Sequence, residues 1–228
     1  MNEASRLRDH SIARRDFLLR GIGLATSLGF SEKSFASEVC NGVICDAKIP
    51  TSQFRHQLQP NGSVWCWAAT ISMICDWHGR TISQASIVSQ CFGGIVNAPA
   101  DPFTLISSVN RTYIDSHGDS FSIGSQVWSV LHGVAHLNNV GIIQQLSGDR
   151  PLVVCNLSHM MALIGVSYPR GSYTIGEAWV ADPALPIAIP TGIPGRAPLA
   201  KGFRYLSPAE LSPAPYGQLT FIAALDVS

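Results

Sequence analysis

The sequence predicts an α+β fold, with helices gathered in the first half of the chain and antiparallel strands in the second. Three observations point there. The chain has 228 residues, 46% hydrophobic and 13% charged, which suits one domain, or two lobes on a shared core, and excludes a disordered chain. The stretch Trp65 to Gly79, WCWAATISMICDWHG, is apolar almost all the way round, as a buried helix is. From Pro151 onward, apolar runs separated by turn residues read as a meander of strands.

Each element follows in order. Residues 37–55 read as an extended lead-in with a short loop between Cys40 and Cys45. Pro60-Asn61-Gly62 is a turn signal. The buried helix follows, with Ser63 as candidate cap and Gly79 as its end. TISQASIVSQ, residues 81–90, is a second helix opened by Thr81 or Ser83. Residues 91–102 are loop, residues 102–114 have a helical pattern, and residues 120–137 are mixed. NNVGIIQQLSG, 138–148, has helical spacing and ends at a Gly148-Asp149-Arg150-Pro151 turn. Strands are expected over Pro151–Leu157, Met160–Tyr168 and Tyr173–Ala181, the last two joined by a Pro-Arg-Gly turn. A Pro- and Gly-rich loop covers 183–198, and a final strand runs from Gln218 to Leu225.

Fifteen basic residues balance fifteen acidic ones, so there is no basic footprint for a nucleic acid. After residue 40 no uncharged apolar stretch reaches membrane-spanning length. The first 36 residues read as an address: Arg14 and Arg15, then Asp16-Phe17-Leu18, a mildly apolar run to Phe30, and small residues at Ser34 and Ala36. That order resembles a twin-arginine export signal, which implies a periplasmic or secreted protein. Taking away the six basic and four acidic side chains of residues 1–36 leaves nine and eleven, a net charge of −2. All six cysteines lie beyond residue 36, where an oxidising compartment permits disulfides. Cys40 with Cys45 is a local pair and Cys75 with Cys91 a plausible second, leaving Cys66 and Cys155; sequence does not fix this connectivity.

Three residues form a chemical constellation. Cys66 opens the buried helix, His159 stands between two strands, and Asp182 ends the next strand. A thiol attacks only as thiolate, and a helix N-terminus beside an imidazolium lowers its pKa. The histidine serves as base and then acid, and a carboxylate or amide orients it. An oxyanion needs donors: the Cys66 backbone N–H is one, and the side-chain amide of Gln59 or Gln57 a second. His132 and His136 are four apart but lack the glutamate of a zinc-protease motif, so no metal or cofactor is expected. His56, His78 and His117 stand in turn-like or helix-end contexts and read as surface residues. Neither a phosphate-binding glycine loop nor a serine-nucleophile elbow is present.

The run Gln59 to Ala69, with its Trp65-Cys66-Trp67-Ala68-Ala69 core, resembles the active-site segment of papain-like cysteine peptidases. It is closest to a bacterial branch that includes plant-pathogen effectors. Ile82-Ser83-Gln84 with Cys91-Phe92-Gly93, the passage from Gly148 to Val154, Ser158-His159 before an apolar strand, and Trp179 to Pro183 resemble that family in the same order. The resemblance spans roughly residues 53–225. It implies a two-lobe domain over 56–228, a helical lobe over 56–135 and a β lobe over 136–228, with substrate in the cleft. It implies Cys66 as nucleophile, His159 as base and acid, Asp182 as orienting residue and Gln59 as oxyanion donor. Gln59 stands seven residues before Cys66 where six is the family's spacing, and one extra residue in the Pro60–Gly62 turn absorbs the difference. The expected activity is hydrolysis of a protein or peptide through a thioester, by a monomer without cofactor. An acyl transferase or amidase on the same triad, or an inactive binding module, are the alternatives.

Overall fold

The structure is a computed structural model, described for residues 38–157, 159–186 and 199–228. The export signal expected over 1–36 lies outside these residues, as does most of the loop at 183–198. Strands β1 (Val39–Asn41) and β2 (Ile44–Lys48) form a hairpin, with Cys40 opposite Cys45 and the two joined by a disulfide. Helices α1 (Cys66–Trp77), α2 (Gln84–Phe92) and α3 (Pro102–Ser108) follow. Strands β3 (Arg111–Ile114), β4 (Ser120–Ser129) and β5 (Val134–Ala135) precede α4 (Asn139–Ser147). Then come β6 (Leu152–Asn156), β7 (His159–Pro169), β8 (Glu177–Ala181), β9 (Phe203–Tyr205), α5 (Pro208–Leu211) and β10 (Leu219–Val227).

The class is α+β, and the sheet dominates. Its order is β1-β2-β7-β6-β10-β4-β3, with β5 on β4, and with β8 on β7 followed by β9; every pairing between these strands is antiparallel. The long strand β7 organises it. β6 pairs with its first half and β2 with its second half, and β8 also pairs along it. Nine consecutive residues of β7, Met160 to Tyr168, are buried, because α1 packs on the strand and neighbours flank both edges. No helix among the described residues is long and apolar enough to cross a membrane.

Several expectations need correction. The helical pattern at 102–114 stops at Ser108, and Arg111-Thr112-Tyr113-Ile114, rich in β-formers, pairs as β3 with β4. The mixed stretch holds the ten-residue β4, in which Phe121, Ile123 and Val127 bury one face at period two. The sheet therefore already begins within residues 111–129, and the lead-in joins it through β2. Ser63 does not cap α1; Trp65 is its N-cap, without a side-chain bond. Ser83 does cap α2. Cys75 and Cys91 are free thiols, not a disulfide.

Candidate active site

Register alone brings the predicted residues together. Ala181 of β8 lies opposite Ala162 of β7, so Asp182, one step on, comes opposite Met161 and diagonal to His159. Across the other edge of β8, Ala181 lies opposite Phe203, and the Asp182 N–H donates to the Gly202 carbonyl at 2.8 Å. Arg204 is then diagonal to Asp182 on the same face. His159, Met161, Asp182 and Arg204 share one face of three adjacent strands. The N-terminus of α1, which packs on β7, delivers Cys66 to that face. Ala68 and Ala69 are fully buried and let the helix approach closely.

The side chains form a hydrogen-bonded series. The Cys66 thiol bonds the His159 imidazole. His159 Nε2 lies 2.7 Å from Asp182 Oδ1. A carboxylate only accepts, so Nε2 carries the proton and Nδ1 is left for the sulfur. Asp182 Oδ1 also accepts from the Ala184 N–H at 2.9 Å, and Oδ2 accepts from Arg204 Nε at 2.6 Å. Arg204 is held in turn by Glu210, with Nη1 and Nη2 at 3.0 and 2.7 Å from its two oxygens.

The electrostatics follow from these contacts. Burial pushes the Cys66 thiol up, but the His159 bond, the Met160 and Trp67 N–H groups and attraction to the imidazolium together hold it below the ordinary thiol value. Burial pulls His159 down, yet Asp182 and Cys66 outweigh it and raise it to about 9. Burial raises Asp182, while His159, Arg204 and the Ala184 N–H bring it to about 2. The other buried free cysteines behave in the opposite way: burial pushes Cys75 up to about 12 and Cys155 to about 11. Among the buried free cysteines, Cys66 is thus the one whose surroundings favour the thiolate, the form a thiol needs in order to attack.

Gln59 reaches the same place. Gln59, Cys66, Cys155, Leu157, His159 and Met160 line one cavity of about 300 Å³. Gln59 Nε2 donates to the Ser63 carbonyl at 2.7 Å, across a turn in which Gly62 takes φ 72°. That leaves its second amide hydrogen for another acceptor. Gln57 points elsewhere, accepting from the Ser72 hydroxyl at 2.9 Å, and does not line the cavity. A larger cavity of about 780 Å³, lined by Trp128, Leu137, Val154, Leu163, Ile175 and Ile222 among others, touches none of Cys66, His159, Asp182 and Gln59. Cys66, His159 and Gln59 line the smaller one.

Four supporting residues carried no clear signal in the sequence. Asn97 accepts from the Val64 N–H at 2.9 Å, beside the Trp65 and Trp67 indole N–H groups, which donate to the Val96 and Ala98 carbonyls at 2.8 and 3.3 Å. The two tryptophans therefore pin a loop to the segment that carries Cys66, a packing role. His56, expected at the surface, bonds the Asp182 carbonyl at 2.7 Å, and the Gln59 N–H donates to the Pro183 carbonyl at 2.9 Å. Arg204 and Glu210 complete the set; the Ser207-to-Glu210 spacing, a capping box, was the legible hint for Glu210. His132 lies in a turn, with Nδ1 2.7 Å from the Ser129 hydroxyl and Nε2 3.2 Å from the Pro102 carbonyl.

Gly202 shows how tightly His56 is fitted. It has φ 86°, and a Cβ there would fall inside the His56 ring. Gly202→Ala is expected to cost about 2–3 kcal/mol by overpacking and left-handed strain. Thermal melts in two backgrounds check the cause. In His56→Ala the added methyl has room, so Gly202→Ala should cost measurably less there; equal costs would remove His56 as the obstacle.

Compared with protein-family models, curated proteins and solved structures, the chain matches none.

Proposed function

We propose that this chain is an exported papain-like cysteine peptidase that hydrolyses peptide bonds through Cys66, His159 and Asp182. The observation that carries the reading is the series thiol–imidazole–carboxylate, with its thiol at the N-terminus of a twelve-residue buried helix. On this reading α1 to α3 form one lobe and the sheet the other, and the extended substrate lies between them.

The Cys66 thiolate attacks the scissile carbonyl, and the oxyanion takes hydrogen bonds from the Cys66 N–H and the Gln59 amide. The His159 imidazolium gives its proton to the leaving amine. A thioester remains. His159, now neutral, takes a proton from water as that water attacks the thioester, and the acid product leaves with Cys66 restored. Asp182 keeps the ring in its Nε2–H tautomer throughout. The cavity wall is mainly apolar around the two polar reactants, with Val64, Leu105, Leu157 and Met160 in it, which favours substrates with apolar side chains near the cut.

The ion pair has a defined pH window. Cys66 loses its proton below the ordinary thiol range, and His159 holds its own until about 9. Iodoacetamide labelling of Cys66, read by mass spectrometry from pH 4 to 9, should be fast well below the usual thiol pKa of about 8.5. In His159→Ala the low-pH labelling should vanish. Labelling of Cys66 that follows an ordinary thiol would sink the peptidase reading in favour of a binding module.

A further inference from the structure

The carboxylate that orients His159 does not stand alone. Its second oxygen is taken by Arg204, and Arg204 is gripped through both terminal nitrogens by Glu210. Glu210 is itself fixed, because its side chain accepts from the Ser207 N–H at 2.8 Å while its own N–H donates to the Ser207 hydroxyl at 3.3 Å. The guanidinium also lies 3.1 Å from the Met161 sulfur, on the strand that carries His159. A chain of alternating charge therefore runs inward from a helix cap to the imidazole: Glu210, Arg204, Asp182, His159.

We propose that Arg204, anchored by Glu210, is a positioning residue of the active site: it fixes the far oxygen of Asp182 so that the near oxygen stays on His159, and its positive charge limits the pull of Asp182 on the imidazolium proton. The inference rests on the cysteine-peptidase reading. Asp182 unshielded would hold that proton more tightly and make His159 a poorer acid toward the leaving amine. The charge balance at the site is set by groups on every packed element. Cys66 faces His159 from α1, and the Cys155 thiol shares the cavity from β6. Asp182 is met by His159 from β7, by Arg204 from β9 and by the His56 ring at its carbonyl, and Glu210 faces Arg204 from α5.

Two neutralising substitutions separate charge from mere bracing, because their signs oppose. Arg204→Met removes a positive charge near the ion pair, so the protonated forms of both His159 and Cys66 are favoured. Glu210→Gln removes a negative charge and leaves Arg204 on Asp182, so both protons are lost more readily; a glutamine also keeps the capping box. The readouts are the pH midpoint of Cys66 labelling by iodoacetamide and the imidazole NMR titration of His159, neither of which needs a substrate. Arg204→Met should move both midpoints up by about half a pH unit or more. Arg204→Lys should bring them most of the way back, and Glu210→Gln should move them down. Midpoints left in place in Arg204→Met and Glu210→Gln, whatever happens to the melting temperature, would overturn the inference. Should Arg204→Met fail to fold, the downward shift in Glu210→Gln decides alone. Wild-type Cys66 titrating as an ordinary thiol would instead be the failure of the peptidase reading, and it is seen before any variant is made.

Discussion

Asp182→Asn should lower kcat/KM on a peptide substrate by about 10⁴-fold, close to the loss seen when an orienting carboxylate is replaced elsewhere. An amide can hold a histidine in some sites, and the sequence left that possibility open. The surroundings close it. Oδ1 accepts from His159 Nε2 and the Ala184 N–H, and Oδ2 accepts from Arg204 Nε. An asparagine has one accepting end. Turned one way, its NH₂ faces the guanidinium; turned the other, it faces the imidazole and the Ala184 N–H. A donor meets a donor in either case, and a buried unsatisfied donor costs about 1–3 kcal/mol. The ring would be free to flip to the other tautomer. A 10⁴-fold loss corresponds to about 5.5 kcal/mol of transition-state stabilisation. The check is steady-state kinetics with the thermal melt alongside; a loss of tenfold or less would mean that Asp182 does not orient the base.

Gly165→Ala should be the most damaging small change in the sheet. Gly165 of β7 lies opposite Trp179 of β8, beside the register shift at Leu163. A Cβ on Gly165 would fall inside the Trp179 indole. That indole is buried and leans on Tyr205 with ring centroids 5.7 Å apart, so it has no easy exit. Overpacking of this kind costs about 3 kcal/mol, and for a domain of this size that lowers Tm by roughly 6–12 °C. Trp179 is three residues from Asp182, so activity should fall further than stability alone explains. A Trp179→Leu background makes room for the methyl, and there the added cost of Gly165→Ala should shrink. Equal costs in both backgrounds would show that the indole is not the obstacle.

What could be read from the sequence was local. The Cys66 helix is visible because burial on all sides writes a continuous apolar run, and Ser83 announces α2 as a cap. His159 and Asp182 stand out because each follows or ends an apolar strand. For the expected oxyanion donor the sequence favours Gln59 over Gln57, and the structure puts Gln59 in the cavity beside Cys66 while Gln57 is turned to the Ser72 hydroxyl. The unreadable part depends on pairing at a distance. β4 alternates faintly, with serines and Gly124 between its buried residues, and becomes a strand because β10 and β3 flank it. Arg204 looks like any charged residue in a three-residue strand until β9 meets β8 and sets it against Asp182. His56 precedes the turn and gives no hint that its partner lies 126 residues later.

The order of strands has a consequence for when this site can exist. β10, Leu219–Val227, is made after the other described strands, yet it sits in the middle of the sheet, between β6 and β4. A growing chain that has not reached residue 219 has β1-β2-β7-β6 on one side and β4-β3 on the other, without the strand that pairs with both β6 and β4. Thr220 also donates to the Cys155 carbonyl at 3.0 Å, next to the turn that leads into His159. The strand β6, which flanks the β7 that carries His159, thus gains its second neighbour only once Leu219–Val227 has been made. A chain without residues 219–227 carries the thiol, the imidazole and the carboxylate but lacks the strand that ties β6 to β4.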